Sequence, residues 1–285
     1  MGVRGYVAIC QGSWASDSGR NLLKTSDDTV SIALGKLLAA EGFAVTAVSG
    51  VGTRAGWVGK VVGGAWGVGT ADRLRDLQQN WAMNGTPGLN GSDLQLFVLG
   101  WSRGAVAAKA LCNELEDRGC RRVDFLGMMD PVGGTFKSGN QWTPPKYLKD
   151  NRVSSIVKHS AVCLSADVKR RFFHCRRFDN ANERWFGGAQ YVAHSIGGAP
   201  GVRTPAYTWL CQELAKAGGP DFFRAVTRKR IRDVGLGDLL PSGSVDDKVD
   251  FIPATDCNHF TKQRHALVKP GDVIHKSVLT DEAGH

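Results

Sequence analysis

The sequence predicts an α/β fold in which a mostly parallel central sheet carries helices on both faces. Three observations lead there. Apolar strand-like runs alternate with segments of helical period through the first half of the chain. With 285 residues the chain is long enough for one large α/β domain and too short for two comfortable ones. Its composition, 42% hydrophobic and 22% charged, is that of a folded protein and excludes a disordered one. No repeat, linker or low-complexity tract interrupts it, so one domain over residues 1–285 is expected.

The elements follow in order. Tyr6 to Cys10 is a short buried strand that stops at Gln11-Gly12-Ser13-Trp14. Asp28 to Glu41 reads as a helix: Asp27 or Asp28 caps it, and Val30, Ile32, Ala33, Leu37 and Leu38 form its apolar stripe. Gly42 ends that helix, and Phe43 to Val48 is the next strand. A glycine-rich stretch from Gly50 to Gly69 leads into a helix over Thr70 to Met83. Leu94 to Leu99 is a strand running straight into Gly100-Trp101-Ser102-Arg103-Gly104, and Ala105 to Leu115 behind it is helical. Strands are expected over Val123 to Met129 and Ser154 to Val162. Beyond Asp167 the signal weakens, apart from a helix over Thr204 to Ala217.

Several function classes drop out. A membrane-crossing helix needs about 20 consecutive apolar residues, and no such run occurs. The start lacks a signal-peptide pattern and a myristoylation site, which reads as a chain that is soluble and cytoplasmic where it is made. Seven scattered cysteines give no disulfide framework; Cys10, Cys112, Cys163 and Cys211 sit in apolar runs as small core residues. Cys257-Asn258-His259 with His265 does not have a zinc-ligand spacing, so no metal is expected. Gly50 to Lys60 lacks the hydroxyl of a P-loop, and Gly64 to Gly69 has no strand before it to make a dinucleotide fingerprint. No cofactor is expected.

The net charge is +9, from 36 basic and 27 acidic residues, which favours an anionic partner such as a phospholipid surface. The densest basic stretch, Arg224 to Arg232, suits a solvated helix face, and no zinc-finger or RNP-type motif accompanies it. Nucleic acid is therefore not favoured; if it did bind, retention on DNA would fall steeply with salt.

The chemistry gathers at Gly100-Trp101-Ser102-Arg103-Gly104, a G-x-S-x-G pattern between a strand and a helix. That is the layout of a nucleophile elbow, where the serine sits on a tight turn above the sheet. A serine hydroxyl is a poor nucleophile at neutral pH and needs a base oriented by a carboxylate. Asp130 ends the next apolar strand, and Pro131 stops that strand with the acid at its rim. His194, in a glycine-bearing loop, and His259, beside Asp256, are both candidates for the base, and position alone does not separate them. His159 falls inside a strand and reads as a core histidine. The N–H of Arg103 and one from the Gly12-Ser13 turn are the expected oxyanion donors.

Several motifs in this order resemble the bacterial and fungal α/β-hydrolase-like family that includes the catalytic domains of type VI secretion phospholipase effectors. Gln11-Gly12-Ser13-Trp14 is similar to its Asp-Gly-Thr-Trp segment. Gly50 to Thr53, Gly100 to Ala105, Met129-Asp130-Pro131-Val132-Gly133, Trp185 to Gly188, His194 to Gly198 and Ile274 to Val278 continue the series over nearly the whole chain. The resemblance implies an α/β-hydrolase-like fold with Ser102 as nucleophile, Asp130 as orienting acid and His194 as base. It implies an ester or phospholipid substrate and delivery by a specialised secretion system to another cell or compartment, while the positive net charge favours peripheral contact with anionic membranes. Two departures stand out. Gln11 replaces the family's aspartate, as a support of the oxyanion turn, and the histidine loop lacks the aspartate before Gly-Gly. Rival readings are a hydrolase of a non-lipid ester, such as an acylated glycan or polyester, and a catalytically silent binding module on the same scaffold. Oligomeric state is not legible.

Overall fold

A computed structural model describes residues 4–12, 30–48, 94–132, 150–166, 175–187, 200–218, 251–254 and 268–275. Its elements are strand β1 (Gly5–Cys10), helix α1 (Val30–Ala40), β2 (Phe43–Val48), β3 (Gln95–Trp101), α2 (Arg103–Asp117), β4 (Val123–Met129), β5 (Val157–Ser165), β6 (Asn182–Phe186), α3 (Pro200–Gly218), β7 (Phe251–Pro253) and β8 (Val273–His275). They form one eight-stranded sheet in the order β2-β1-β3-β4-β5-β6-β8-β7. Every pairing is parallel except β7 with β8. This is the α/β-hydrolase-like architecture that the sequence predicts.

Alternation along the strands divides the core into two layers. Val7 and Ile9, Phe97 and Leu99, and Phe125 and Met129 face one layer with Ile32, Leu34 and Leu38 of α1 and Trp209, Leu210 and Leu214 of α3. Ala8 and Cys10, Leu96 and Val98, and Leu126 and Met128 face the other, with Ala105, Ala108, Leu111 and Leu115 of α2. Helices thus cover both faces. Burying a large apolar side chain such as Phe97 stabilises the fold by roughly 1.5–3 kcal/mol.

Some boundaries differ from the sequence reading. The strand expected over Ser154 to Val162 runs instead over Val157–Ser165. Ser154 to Val157 form a turn, with Val157 N–H donating to the Ser154 carbonyl (3.1 Å). The hydroxyls of Ser154 and Ser155 both donate to the Glu116 carboxylate of α2, which draws that segment out of the sheet. His159, expected in the core, is exposed on the lower part of β5. The short strands β6, β7 and β8 escaped the sequence reading. Cys10, Cys112, Cys163 and Cys211 are buried as expected, and Cys120 and Cys175 join them. Burial pushes the Cys10 thiol up to about 12. The helix expected over Thr70 to Met83, the glycine-rich stretch and the basic Arg224 to Arg232 stretch lie outside the described residues. No helix among the described residues is long and apolar enough to cross a membrane.

Candidate active site

Parallel register brings the ends of four neighbouring strands to one rim. Cys10 pairs with Gly100, Trp101 with Met129, and Met129 with Cys163. Gln11 and Gly12 leave β1 beside the end of β3, where Ser102 follows; Asp130 follows the end of β4 next door.

Ser102 joins β3 to α2 with φ 55° and ψ −122°, a left-handed conformation that L residues rarely adopt. Such a residue costs on the order of 1–3 kcal/mol and persists only where its surroundings enforce it. Here the backbone enforces it. Ser102 N–H donates to the Met129 carbonyl (2.8 Å), and the Ser102 carbonyl accepts from both Ala105 N–H and Val132 N–H (3.1 Å each). A serine at a helix start often caps it through the side chain, but Ser102 makes no side-chain cap bond. Its hydroxyl is therefore not spent on the helix.

The flanking glycines have steric reasons. A Cβ on Gly100 would run into Gly104 and Ala105 of the first turn of α2, and one on Gly104 would strike the Cys10 and Gln11 carbonyl oxygens. Helix and strand ends approach so closely that no side chain fits between them. Gly12 is constrained as well: a Cβ there would lie 2.6 Å from the ring of Trp101. The indole of Trp101 thus packs on the turn expected to carry an oxyanion donor. Arg103 opens α2, where N–H groups lack intrahelical acceptors and the positive end of the helix dipole lies. Ser102, Arg103, Gln11 and Asp130 are all buried, with 3%, 2%, 3% and 0% of their surface exposed.

Asp130 is the second left-handed residue, at φ 42°. Its N–H donates to the Cys163 carbonyl (2.7 Å), and its Oδ1 accepts from Ser165 N–H (3.1 Å). Pro131 follows, and its carbonyl accepts from Arg176 N–H (2.7 Å). The buried carboxylate is thus anchored to the end of β5. Burial, reinforced by the charge of Asp130, pushes the neighbouring Cys163 thiol well above its ordinary value, so that thiol stays protonated.

The rim therefore holds Ser102, Asp130, Gln11, Gly12 and Arg103 together. His194, His259 and Ser13 lie outside the described residues. Trp101 and Ser165 were not singled out by sequence reading. Trp101 is the variable position of the G-x-S-x-G pattern, and Ser165 contributes a backbone group, which no residue type announces. His275, at the end of β8, stands four strands from β3, roughly 19 Å away at 4.8 Å per strand. Its ring stacks on Phe186 (6.0 Å), and it is too distant to serve Ser102. Among the described residues no group of three or more His, Cys, Asp or Glu side chains could hold a metal ion.

No family model matches the chain, and no curated protein matches it. Among solved structures it is similar to an uncharacterised protein from Pseudomonas aeruginosa, with TM-score 0.51 and 14% identity, over 81% of this chain and 48% of that one. Weaker likenesses include the Tle1 effector bound to the VgrG spike of the type 6 secretion system, with TM-score 0.38 and 17% identity over 70% and 52% of the two chains. Another is with a structure from work on the metagenome-derived lipolytic enzymes LipS and LipT, with TM-score 0.43 and 10% identity over 76% and 94%. The chain spans about half the length of the first two. At these identities the likeness is one of fold.

Proposed function

We propose that this chain is a serine hydrolase that cleaves carboxylic esters, with phospholipids as the preferred class. The observation that carries the reading is Ser102: a left-handed serine, wedged between a strand and a helix by two glycines, whose hydroxyl does not cap the helix. Strain held at one polar residue whose side chain makes no cap bond is characteristic of a nucleophile.

In this reading Ser102 Oγ attacks the ester carbonyl carbon as His194 takes its proton. The N–H groups of Arg103 and of Gly12 or Ser13 stabilise the oxyanion, each worth roughly 2.7–4 kcal/mol of barrier. His194 returns the proton to the departing alcohol, leaving the acyl group on Ser102. Water, deprotonated by His194, then releases the carboxylic acid and restores the serine. Asp130 orients His194, and Gln11 supports the oxyanion turn.

Chain reach supports His194 over His259. His194 is eight residues beyond the end of β6 and must cover three strand spacings to β3, roughly 14 Å. Eight residues span up to about 28 Å, which leaves ample slack. His259 is five residues beyond Ala254, and β7 runs antiparallel, so Ala254 lies toward the opposite rim. Five residues span about 17 Å, against roughly 24 Å of sheet between β7 and β3.

The preference for phospholipids rests on the excess of positive charge, which attracts anionic membrane surfaces, and on the family resemblance. Contact with the membrane is then peripheral. The test is the Ser102→Ala variant with a fluorophosphonate probe and a panel of dispersed phospholipids and soluble esters. The parent is expected to be labelled at Ser102 and to release fatty acid from phospholipid, and the variant to do neither while melting like the parent. Turnover within a few-fold of the parent in Ser102→Ala would overturn the assignment. Labelling with turnover of soluble esters alone would shift the substrate to a non-lipid ester.

A further inference from the structure

Three strands from β3, on the row that pairs Trp101 with Met129, Met129 with Cys163 and Cys163 with Arg184, a cationic feature lies outside this chemistry. Asn182, Arg184 and Phe186 alternate onto the α3 face of β6. The guanidinium carbon of Arg184 lies 5.9 Å from the ring centre of Trp209 in α3 and 5.7 Å from that of Phe251 in β7. Both distances are within cation–π range. Phe186, Trp209 and Phe251 pack on one another, with ring centres 5.7–6.5 Å apart, so the seat under the guanidinium is rigid.

The fork of Arg184 is only partly used. Nη1 donates to the Glu183 carbonyl of its own strand (2.8 Å), and no carboxylate approaches the group within 4 Å among the described residues. Two described acids of neighbouring segments, Glu183 and Glu213, are engaged elsewhere. Glu183 receives Arg177 Nε (2.6 Å) and Phe178 N–H (2.8 Å), and Glu213 receives Lys216 Nζ (2.6 Å) and Asn182 Nδ2 (3.0 Å). Arg184 is half-buried: aromatic rings take up part of its hydration shell while some of its surface still meets solvent.

A planar cation held by rings, tethered at one N–H and facing no acid among the described residues, presents a preformed fork to an oxyanion. We propose that Arg184, on its Trp209 and Phe251 seat, is a binding site for a phosphate group, three strand spacings or roughly 14 Å along the rim from β3. The planar guanidinium fork matches the paired oxygens of a phosphate group. Phosphate can come from a lipid headgroup or from the free ion, and the two sources are distinguished by experiment. The proposal does not depend on ester hydrolysis.

The test uses the full chain carrying Ser102→Ala, so that no lipid is consumed, with and without Arg184→Gln. Two probes are titrated: inorganic phosphate, by calorimetry, and vesicles of phosphatidylcholine containing phosphatidylglycerol, by flotation. Arg184→Gln is expected to weaken binding by about tenfold or more. Loss on both probes, or on inorganic phosphate alone, identifies the anion itself as the ligand; loss on vesicles alone identifies the headgroup. Arg184→Lys, which keeps the charge and the packing stem without the fork, is expected to bind between the two, and it carries the test if the glutamine variant fails to fold. Equal binding by the variant and its parent background, or no binding of either probe by that background, overturns the proposal.

Discussion

At the scale of single residues, Ser102 and Gln11 illustrate how closely strain and support are spaced. Ser102 holds an unfavourable φ because three main-chain hydrogen bonds hold the turn around it. Gln11 is 3% exposed, and its carbonyl lies where any side chain on Gly104 would collide, so the Gln11 backbone rests against the start of α2. A carboxylate at this position would accept charge-assisted bonds from nearby N–H groups; a neutral amide holds the turn more weakly. Gln11→Ala is expected to lower turnover by about tenfold to a hundredfold through a displaced oxyanion donor. Probe labelling of Ser102 should slow but persist. Loss of both labelling and turnover in a variant that melts like the parent would make Gln11 a catalytic group.

At the scale of elements, the short strands β6 and β8 are secured by charge as well as by pairing. Only one residue pair, Trp185 with Ile274, joins them in register. Side chains reinforce it. Arg177 forks onto Asp272 (2.5 and 2.8 Å), Trp185 Nε1 donates to the same carboxylate (3.1 Å), and Lys269 N–H adds a fourth bond (2.8 Å). Partial burial raises the Asp272 pKa, but these donors outweigh it and hold the carboxyl below its ordinary 3.8. Its stabilising contribution is therefore complete above the unfolded pKa and is lost as pH falls through the lower folded one. Asp272→Ala is expected to cost about 3 kcal/mol at neutral pH, because it removes the forked carboxylate partner of Arg177, whose side chain is 10% exposed. Urea unfolding should show the gap between parent and variant narrowing below about pH 4. A gap that stays constant into acid would remove Asp272 as the source. This pattern also explains why the carboxyl-terminal half was hard to read. Strands of three and five residues are too short to show alternation, and Arg177 meets Asp272 across 95 residues of sequence. By contrast, β1, β3 and β4 are apolar runs that meet a glycine, serine or proline within two residues of their ends, and the elbow between β3 and α2 is legible from Gly100 to Gly104.

At the scale of the whole molecule, sheet order sets how far each loop must reach to meet Ser102. Among the described residues β7 is the one antiparallel strand: it turns the chain toward the far rim ahead of His259, whereas β6 ends at the near rim ahead of His194. His194→Ala is accordingly expected to lower turnover on the scale of Ser102→Ala, and His259→Ala to change it little, as measured on purified variants with one ester. The reverse ranking would overturn the assignment of His194 as the base. The rim itself has a consequence for transplanting the site. Because the Ser102 carbonyl is shared by Ala105 and Val132, and Asp130 is hung from Cys163, the serine turn and the aspartate turn are one knot tied across three strands. A pentapeptide grafted onto another sheet would carry the motif and leave the knot behind. The smallest portable unit runs from the end of β3 through α2 and β4 to Val132, together with a β5 partner that presents the Cys163 carbonyl and the Ser165 N–H.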